Sequence, residues 1–227
     1  MFDLKQWNPY HLRSLLVALL TAGVLVSVPL MMGGCQSAKQ EPEKAMREDP
    51  QMLDVLSSEG AIHYMQGEYA DAEEAYKRVL MIHEDTLGTE HPSVADDLNR
   101  IGASVEGQSR LDEAEAYYQR ALALYRKRAQ EFPDELSTTL SCLGLLAAKQ
   151  GKLKEAESYL QEALAIREQT LGANHPDLVY EVENLSEFYK KQEQLDKAKA
   201  LQERAEKLKS TPVPESKDSV AEPSTGG

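Results

Sequence analysis

Residues 111–125 read LDEAEAYYQRALALY, and versions of this stretch return at one fixed interval. Ala72, Ala114, Ala156 and Ala198 hold the same place in YADAEEAYKRVLMI, LDEAEAYYQRALAL, LKEAESYLQEALAI and LDKAKALQERAEKL, each 42 residues after the last. Gly60, Gly102, Gly144 and Ser186 stand twelve residues before those alanines, so the period holds in a second column. A repeat of this length, rich in helix formers, predicts helical hairpins that bury a shared core only by stacking. The expected fold class is all-α: an α-solenoid of about four antiparallel helix-turn-helix repeats forming a superhelix.

The 42-residue step predicts a first helix (A) near 53–66, 95–108, 137–150 and 179–192, and a second (B) near 67–86, 109–129, 151–171 and 193–209. The repeats then run about 53–94, 95–136, 137–178 and 179–209. In the second helix A, Leu98, Ile101, Gly102 and Val105 fall on one apolar stripe, which Leu140, Leu143, Gly144 and Ala147 repeat. A mid-helix glycine costs about 1 kcal/mol against alanine, so packing must offset it. The expected offset is a close approach of helices A and B, with Gly102 near Ala114 and the bulk supplied by Tyr118, Ala121, Leu122 and Leu124. Between repeats, the glycine of Leu87-Gly88 and Leu171-Gly172 is expected in the left-handed conformation, and the histidine of His91-Pro92 and His175-Pro176 as the cap of the next helix. Gln130 and Pro133 break that pattern, predicting a less regular turn at 129–135. Glu59 and His63 stand where later copies have Ile101 and Val105, and the last helix B carries a single apolar stripe, so both terminal repeats read as caps.

These columns resemble the tetratricopeptide repeat, with its small residue in mid helix A, alanine early in helix B, an aromatic four residues on (Tyr76, Tyr118) and a further alanine (Ala121, Ala163, Ala205). The segments TLGTEHPSVADDLNRIG at 86–102 and TLGANHPDLVYEVENLS at 170–186 are similar to the longer, kinesin light chain form of that repeat. The resemblance covers residues 53–209.

The two ends are a different kind of text. Lys5, His11 and Arg13 precede an apolar run from Leu15 to Met32, followed by Gly33-Gly34-Cys35. That order describes an export signal, and Met32-Gly33-Gly34-Cys35 resembles a bacterial lipobox, which implies removal of residues 1–34 and a lipid (palmitate among its acyl chains) on Cys35. The run is also close to bilayer-spanning length, so an uncleaved N-terminal membrane anchor is the alternative. Either reading places the chain on a membrane, the first at the extracytoplasmic side of a bacterial cell envelope. Residues 35–50 read as the lipidated cysteine and a flexible tether, residues 51–209 as the repeat domain, and residues 210–227, with three prolines and no periodicity, as a disordered tail. The second cysteine, Cys142, lies in the apolar stretch SCLGLLAA and reads as a packed thiol.

A formal charge of −13, with 38 acidic against 25 basic residues, argues against nucleic acid as the main ligand. His91 and His175 recur at equivalent turns and read as structural caps, while no HExxH or CxxC spacing, phosphate-cradling glycine loop or nucleophile elbow is present. The pairs Glu73-Glu74 and Asp96-Asp97 read as solvated helix faces. The chain is therefore expected to be no enzyme and to need no metal, cofactor or small-molecule substrate. In tetratricopeptide proteins a concave side lined by helices A receives a peptide or a partner's helix, and the resemblance implies the same here. The helix-A positions opposite the core are Asp54, Ser57, Ala61 and Tyr64, then Asp96, Asn99, Ala103 and Glu106, then Thr138, Ser141, Leu145 and Ala148. Among these, Asp54, Ser57, Tyr64, Asp96, Asn99, Glu106 and Ser141 are the candidate partner-binding residues; Asn99 matches an asparagine common in the family, and the acids favour a basic segment. Two functions stay open: an envelope-anchored adaptor that recruits a protein through this face, or an assembly factor that acts through repeat stacking and its terminal faces.

Overall fold

The computed structural model describes residues 50–212, which form eight α-helices: α1 (Pro50–Gln66), α2 (Tyr69–Leu87), α3 (Pro92–Gly107), α4 (Leu111–Lys127), α5 (Pro133–Lys149), α6 (Leu153–Leu171), α7 (Val179–Lys191) and α8 (Leu195–Lys209). Each odd-numbered helix pairs with the helix that follows it, and the second helix of each hairpin packs on the first helix of the next. Four hairpins result, at the expected 42-residue step. Helices α3, α5 and α7 also touch in sequence, one helix A against the next.

The long turns between repeats start and stop as the sequence dictates. Gly88 and Gly172 both have φ 88°, which only glycine adopts at little cost. Their ψ values of 156° and 148° are extended, so the helix ends in an open positive-φ turn rather than the expected left-handed cap. His91 then takes extended geometry, and its Nδ1 accepts from the Ser93 N–H at 3.2 Å; His175 repeats this with the Asp177 N–H at 3.2 Å. The turn from α4 to α5 has no glycine. It is held by the Arg128 carbonyl, which accepts from the Glu131 and Phe132 N–H groups, and by Phe132, whose ring lies 6.2 Å from Tyr125 and beneath the Arg128 guanidinium. The fourth repeat opens with a 3-10 turn at Pro176–Leu178 before α7 begins.

Inside each hairpin the small residue of helix A meets the large residue of helix B. A Cβ placed on Gly60 or Gly102 would fall 2.6 or 2.8 Å from the Tyr76 or Tyr118 ring, and on Gly144 2.7 Å from Leu160. The glycine column thus makes room for the aromatic column and not mainly for Ala114, as the spacing alone suggests. In the fourth repeat Ser186 replaces glycine and donates to the Ala198 carbonyl at 2.8 Å. Ala114, Tyr118, Ala121 and Leu122 are fully buried, whereas Leu124 is only partly so.

Polar columns tie one repeat to the next, and here two expectations are corrected. Glu73 and Asp97 are buried, not solvated, because both face the seam between the first and second repeats. Glu73 accepts from Lys77 at 2.5 Å, Gln108 at 2.6 Å and Arg110 at 2.6 Å. Burial alone would raise its pKa; the three donors outweigh burial and hold it below the ordinary value. One repeat later Glu115 accepts from Gln150 at 3.0 Å and Lys152 at 2.6 Å, each residue 42 positions on. Asp97 pairs with His83 at 2.5 Å, yet burial prevails and keeps its pKa raised. On the outer edge, Glu84 pairs with Arg120, Arg126 with Glu162 at 2.9 Å and Glu168 with Arg204 at 2.5 Å. These are equivalent positions at three successive seams, and the sign reverses at each one.

Candidate partner-binding surface

The outward face of the helix-A layer is built from four columns at the 42-residue step. Asp54, Asp96, Thr138 and Tyr180 are all exposed, as are Ala61 and Tyr64 on α1, while Ala103 on α3 and Leu145 and Ala148 on α5 are half-buried. The face arises because the glycine stripe of each helix A turns inward toward helix B, leaving the opposite stripe without a helix above it. Tyr64 stands at one end, edge-on to Tyr69 at 5.4 Å, and Tyr180 at the other. Exposed aromatics of this kind supply large contact area at low conformational cost.

The structure separates the seven candidate residues. Asp54 and Tyr64 are exposed and Ser57 is half-buried on the face. Asp96 is exposed but accepts from the Tyr125 hydroxyl at 2.5 Å. Glu106 accepts from Tyr118 at 3.0 Å and pairs with Lys149 at 2.6 Å. Asn99 spans to the next repeat: its Nδ2 donates to Thr139 Oγ1 at 2.7 Å, and that hydroxyl donates onward to the Glu135 carbonyl at 2.8 Å. Ser141 is a correction, since it is only 1 % exposed and lies beneath the face rather than on it. The cause is the closer helix-A packing at the third repeat, where α5 has a neighbour on either side. Asn99 Oδ1 and Ser141 Oγ are buried without a hydrogen-bond partner among the described residues. The candidate acids of the second repeat are thus already engaged, and Asp54 is the candidate acid left exposed on the first.

Sequence reading missed the aromatic Tyr180, although its place in the column of Asp54, Asp96 and Thr138 was available from the period. Cys142 is half-buried, and burial, reinforced by Glu106, pushes its thiol up to about 11, the opposite of an activated thiolate. One group of metal-ligand type occurs among the described residues: His63, Glu68 and Asp71 bring their ligand atoms within 4.8 Å of one another at the α1–α2 turn. His63 Nδ1 lies 2.6 Å from Glu68, and this hydrogen bond raises the imidazole pKa, so two of the three groups are already bonded to each other.

Three profiles of the tetratricopeptide repeat match the chain, at residues 51–127, 136–177 and 183–212. No curated protein matches it in sequence. Among solved structures, BtubC (BKLC) from P. vanneervenii is similar with a TM-score of 0.62 and 23 % identity over 83 % of this chain and 82 % of that one. A Podosopora anserina protein described as a kinesin light chain with nearly identical TPR-like repeats gives a TM-score of 0.62 and 22 % identity over 75 % and 81 %. A Rap protein complexed with Competence and Sporulation Factor gives 0.63 and 20 % over 75 % and 47 %. The period, the glycine–aromatic packing and these matches agree that the chain belongs to the tetratricopeptide repeat family.

Proposed function

We propose that this protein is a non-enzymatic adaptor that binds a protein or peptide partner across its helix-A face and is held at a bacterial cell envelope by a lipid on Cys35. Membership of the tetratricopeptide family supports a protein or peptide as the ligand, as does the similar Rap protein, whose structure is of a complex with Competence and Sporulation Factor. The observation that carries the choice of face is the uninterrupted exposed column Asp54, Asp96, Thr138 and Tyr180, flanked by the exposed Ala61 and Tyr64. With the acids of the second repeat engaged internally, the partner's basic groups meet Asp54 at the first repeat, and its apolar groups meet Tyr64, Leu145 and Tyr180.

Anchoring rests on the sequence Met32-Gly33-Gly34-Cys35, which lies outside the described residues. Among the described residues no helix is long and apolar enough to cross a membrane. Mass spectrometry of the membrane-extracted protein tests the anchor: a chain beginning at acylated Cys35 is expected, and an intact Met1 with unmodified Cys35 leaves the uncleaved anchor instead. Crosslinking in intact cells tests the face. The partner recovered with the wild type is expected to be lost from Ala61→Arg and Tyr64→Ala, whose positions are exposed and outside the core. Undiminished recovery overturns the helix-A reading and favours an assembly role through the terminal faces.

A further inference from the structure

The two ends of the repeat stack carry the two halves of a seam. Three contacts join a helix B to the hairpin after it, and the 42-residue step gives the residues that hold the same places at the ends. The first contact is apolar. The Tyr69 ring, at the start of α2, lies so close to Gly107 of α3 that a Cβ there would fall 2.6 Å from it. The end residues of these two columns are Leu195 of α8 and Met65 of α1, exposed at 65 % and 78 %. The second contact is ionic. Glu73 accepts from Arg110 and Gln108, each at 2.6 Å, and Glu115 accepts from Lys152 at 2.6 Å and Gln150 at 3.0 Å. At the ends the glutamate column gives Lys199 and the cation column gives Glu68, with Gln66 still in the glutamine column. Both signs are reversed together, so the pair stays complementary, whereas reversing one alone would set like charges against each other. The third contact is polar: at the last seam Gln161 donates to the Tyr189 hydroxyl at 3.0 Å. Its end residues are Glu203 and His63.

The columns between these contacts change in step. Ile101, Leu143 and Leu185 give way to Glu59 on α1, and Tyr76 and Leu80 give way to Gln202 and Glu206 on α8, so polar groups stand on both sides. Glu59 lies 4.0 Å from His63, and Glu206 has Lys209 at 2.9 Å. Glu68 is bonded to His63 at 2.6 Å, as Glu73 is to Lys77 at 2.5 Å, and Glu73 still accepts from the residues across its seam. A joint between the two ends is therefore polar, weak and reversible.

We propose that the chain associates head to tail with a second copy of itself. In this joint α8 of one copy sits on α1 of the next in the place of a preceding helix B, with Leu195 on Met65, Lys199 on Glu68 and Glu203 on His63. The two faces differ, so each added copy leaves one end of each kind free. The joint does not depend on what the helix-A face binds.

The test uses the full chain in excess detergent. Carbodiimide, which joins an amine to a carboxylate without a spacer, is applied at low salt to an equal mixture of unlabelled and isotope-labelled chains. The expected product is a Lys199–Glu68 isopeptide bond between a labelled and an unlabelled copy, with a yield reduced about threefold or more at ~1 M salt, where charges are screened beyond about 3 Å. Sedimentation velocity then reads the strength of association. Lys199→Glu and Glu68→Lys are each expected to weaken it about threefold or more, and the double variant to restore it. Met65→Asp is expected to weaken it by about fivefold. Lys154→Glu, exposed on α6 and away from both ends, is expected to change nothing. Circular dichroism checks that every variant keeps its helix. A chain that stays monomeric and uncrosslinked overturns the proposal. Crosslinks between copies that avoid the two ends overturn it in favour of another interface. A double variant that regains nothing overturns it as well, because charge across the joint is then not what holds the copies.

Discussion

The seam between the first two repeats and the seam between the last two bury the same columns of residues and satisfy them differently. At the first, Glu73 has three donors, two of them cations, and Asp97 is backed by His83 at 2.5 Å with Arg100 at 3.9 Å. At the last, the cation position is Gln194, and Glu157 relies on the Tyr189 hydroxyl at 2.7 Å with Lys197 at 3.7 Å. Glu181, the counterpart of Asp97, reaches Arg167 only at 3.6 Å, and its Oε2 is buried without a partner among the described residues. The apolar core is divided too: one cluster runs from α2 into α6, a second gathers α7 and α8 onto α5 and α6, and a small third one joins α1 to α2 through Leu56, Val79 and Ile82. Repetition of a fold therefore does not make its joints equal, and cohesion falls toward the C-terminal end.

Fragments give the largest test of that difference. Residues 95–136 alone are expected to be largely unfolded, because a lone hairpin has nothing to bury its apolar face against. Residues 51–209 are expected to fold without metal, cofactor or disulfide. Of the two-repeat pieces, residues 50–131 should keep more helix and a higher urea midpoint by circular dichroism than residues 133–212. Equal midpoints break the comparison, and cooperative helix in the single repeat breaks the solenoid itself.

Overpacking is the next in size. Ala114→Leu, at a fully buried position of the first core cluster, should destabilise by about 1–3 kcal/mol. Ala198→Leu, in the terminal helix with no neighbour beyond it, should destabilise less, as read by denaturant unfolding of the full chain. A larger loss at Ala198 would place the tighter packing at the wrong end.

The glutamates of the clasp sharpen the contrast. Glu73→Ala should destabilise by about 1–3 kcal/mol, since it strands donors gathered on a buried carboxylate, and Glu157→Ala by about 0–1 kcal/mol. Glu73 has a lowered folded-state pKa, so its contribution is complete above the ordinary value of 4.5 and is lost as pH falls through the folded value. The loss caused by Glu73→Ala should therefore be full at pH 7 and shrink in acid below about 4.5. A pH-independent difference would show that the carboxylate charge is not what the clasp uses.

The smallest effect is expected at Glu181, and its sign is opposite. Burial raises this carboxyl, with Arg167 offsetting only part of the effect. Protonation then favours the folded state, so stability from this group rises as pH falls through the folded value and is complete below 4.5. Glu181→Gln should be neutral or stabilising by up to about 1 kcal/mol at pH 7, and that margin should vanish in acid. A clear loss of stability at pH 7 would mean that the Arg167 pairing is stronger than its geometry implies.

The period, the hairpins and the glycine and aromatic columns were legible in the sequence, because they repeat in phase and small-against-large packing leaves a signature in residue size. The polar seams were harder to read. Glu73 and Asp97 look like any other acids on a charged helix, and only their partners 35 and 14 residues away make them interior groups. A signal did exist, since Glu73, Glu115 and Glu157 form a column and so do Gln108, Gln150 and Gln192. Ser141 went astray for a related reason: a helix wheel shows which side turns from the core, but not how near the next helix A comes, and that distance puts Ser141 under cover and brings Asn99 against Thr139.

The alternating pairs on the outer edge bear on how the chain avoids misassembly while it folds. Each pair is at most half-buried and adds little to stability. Their order matters more than their strength. If the first repeat docked on the third, Glu84 would meet Glu162; if the second docked on the fourth, Arg126 would meet Arg204. A tandem copy of the second repeat would set Arg126 against Arg120. Skipped and duplicated neighbours are thus penalised while correct ones are accepted, so that four units with nearly the same core carry an address for their position in the stack.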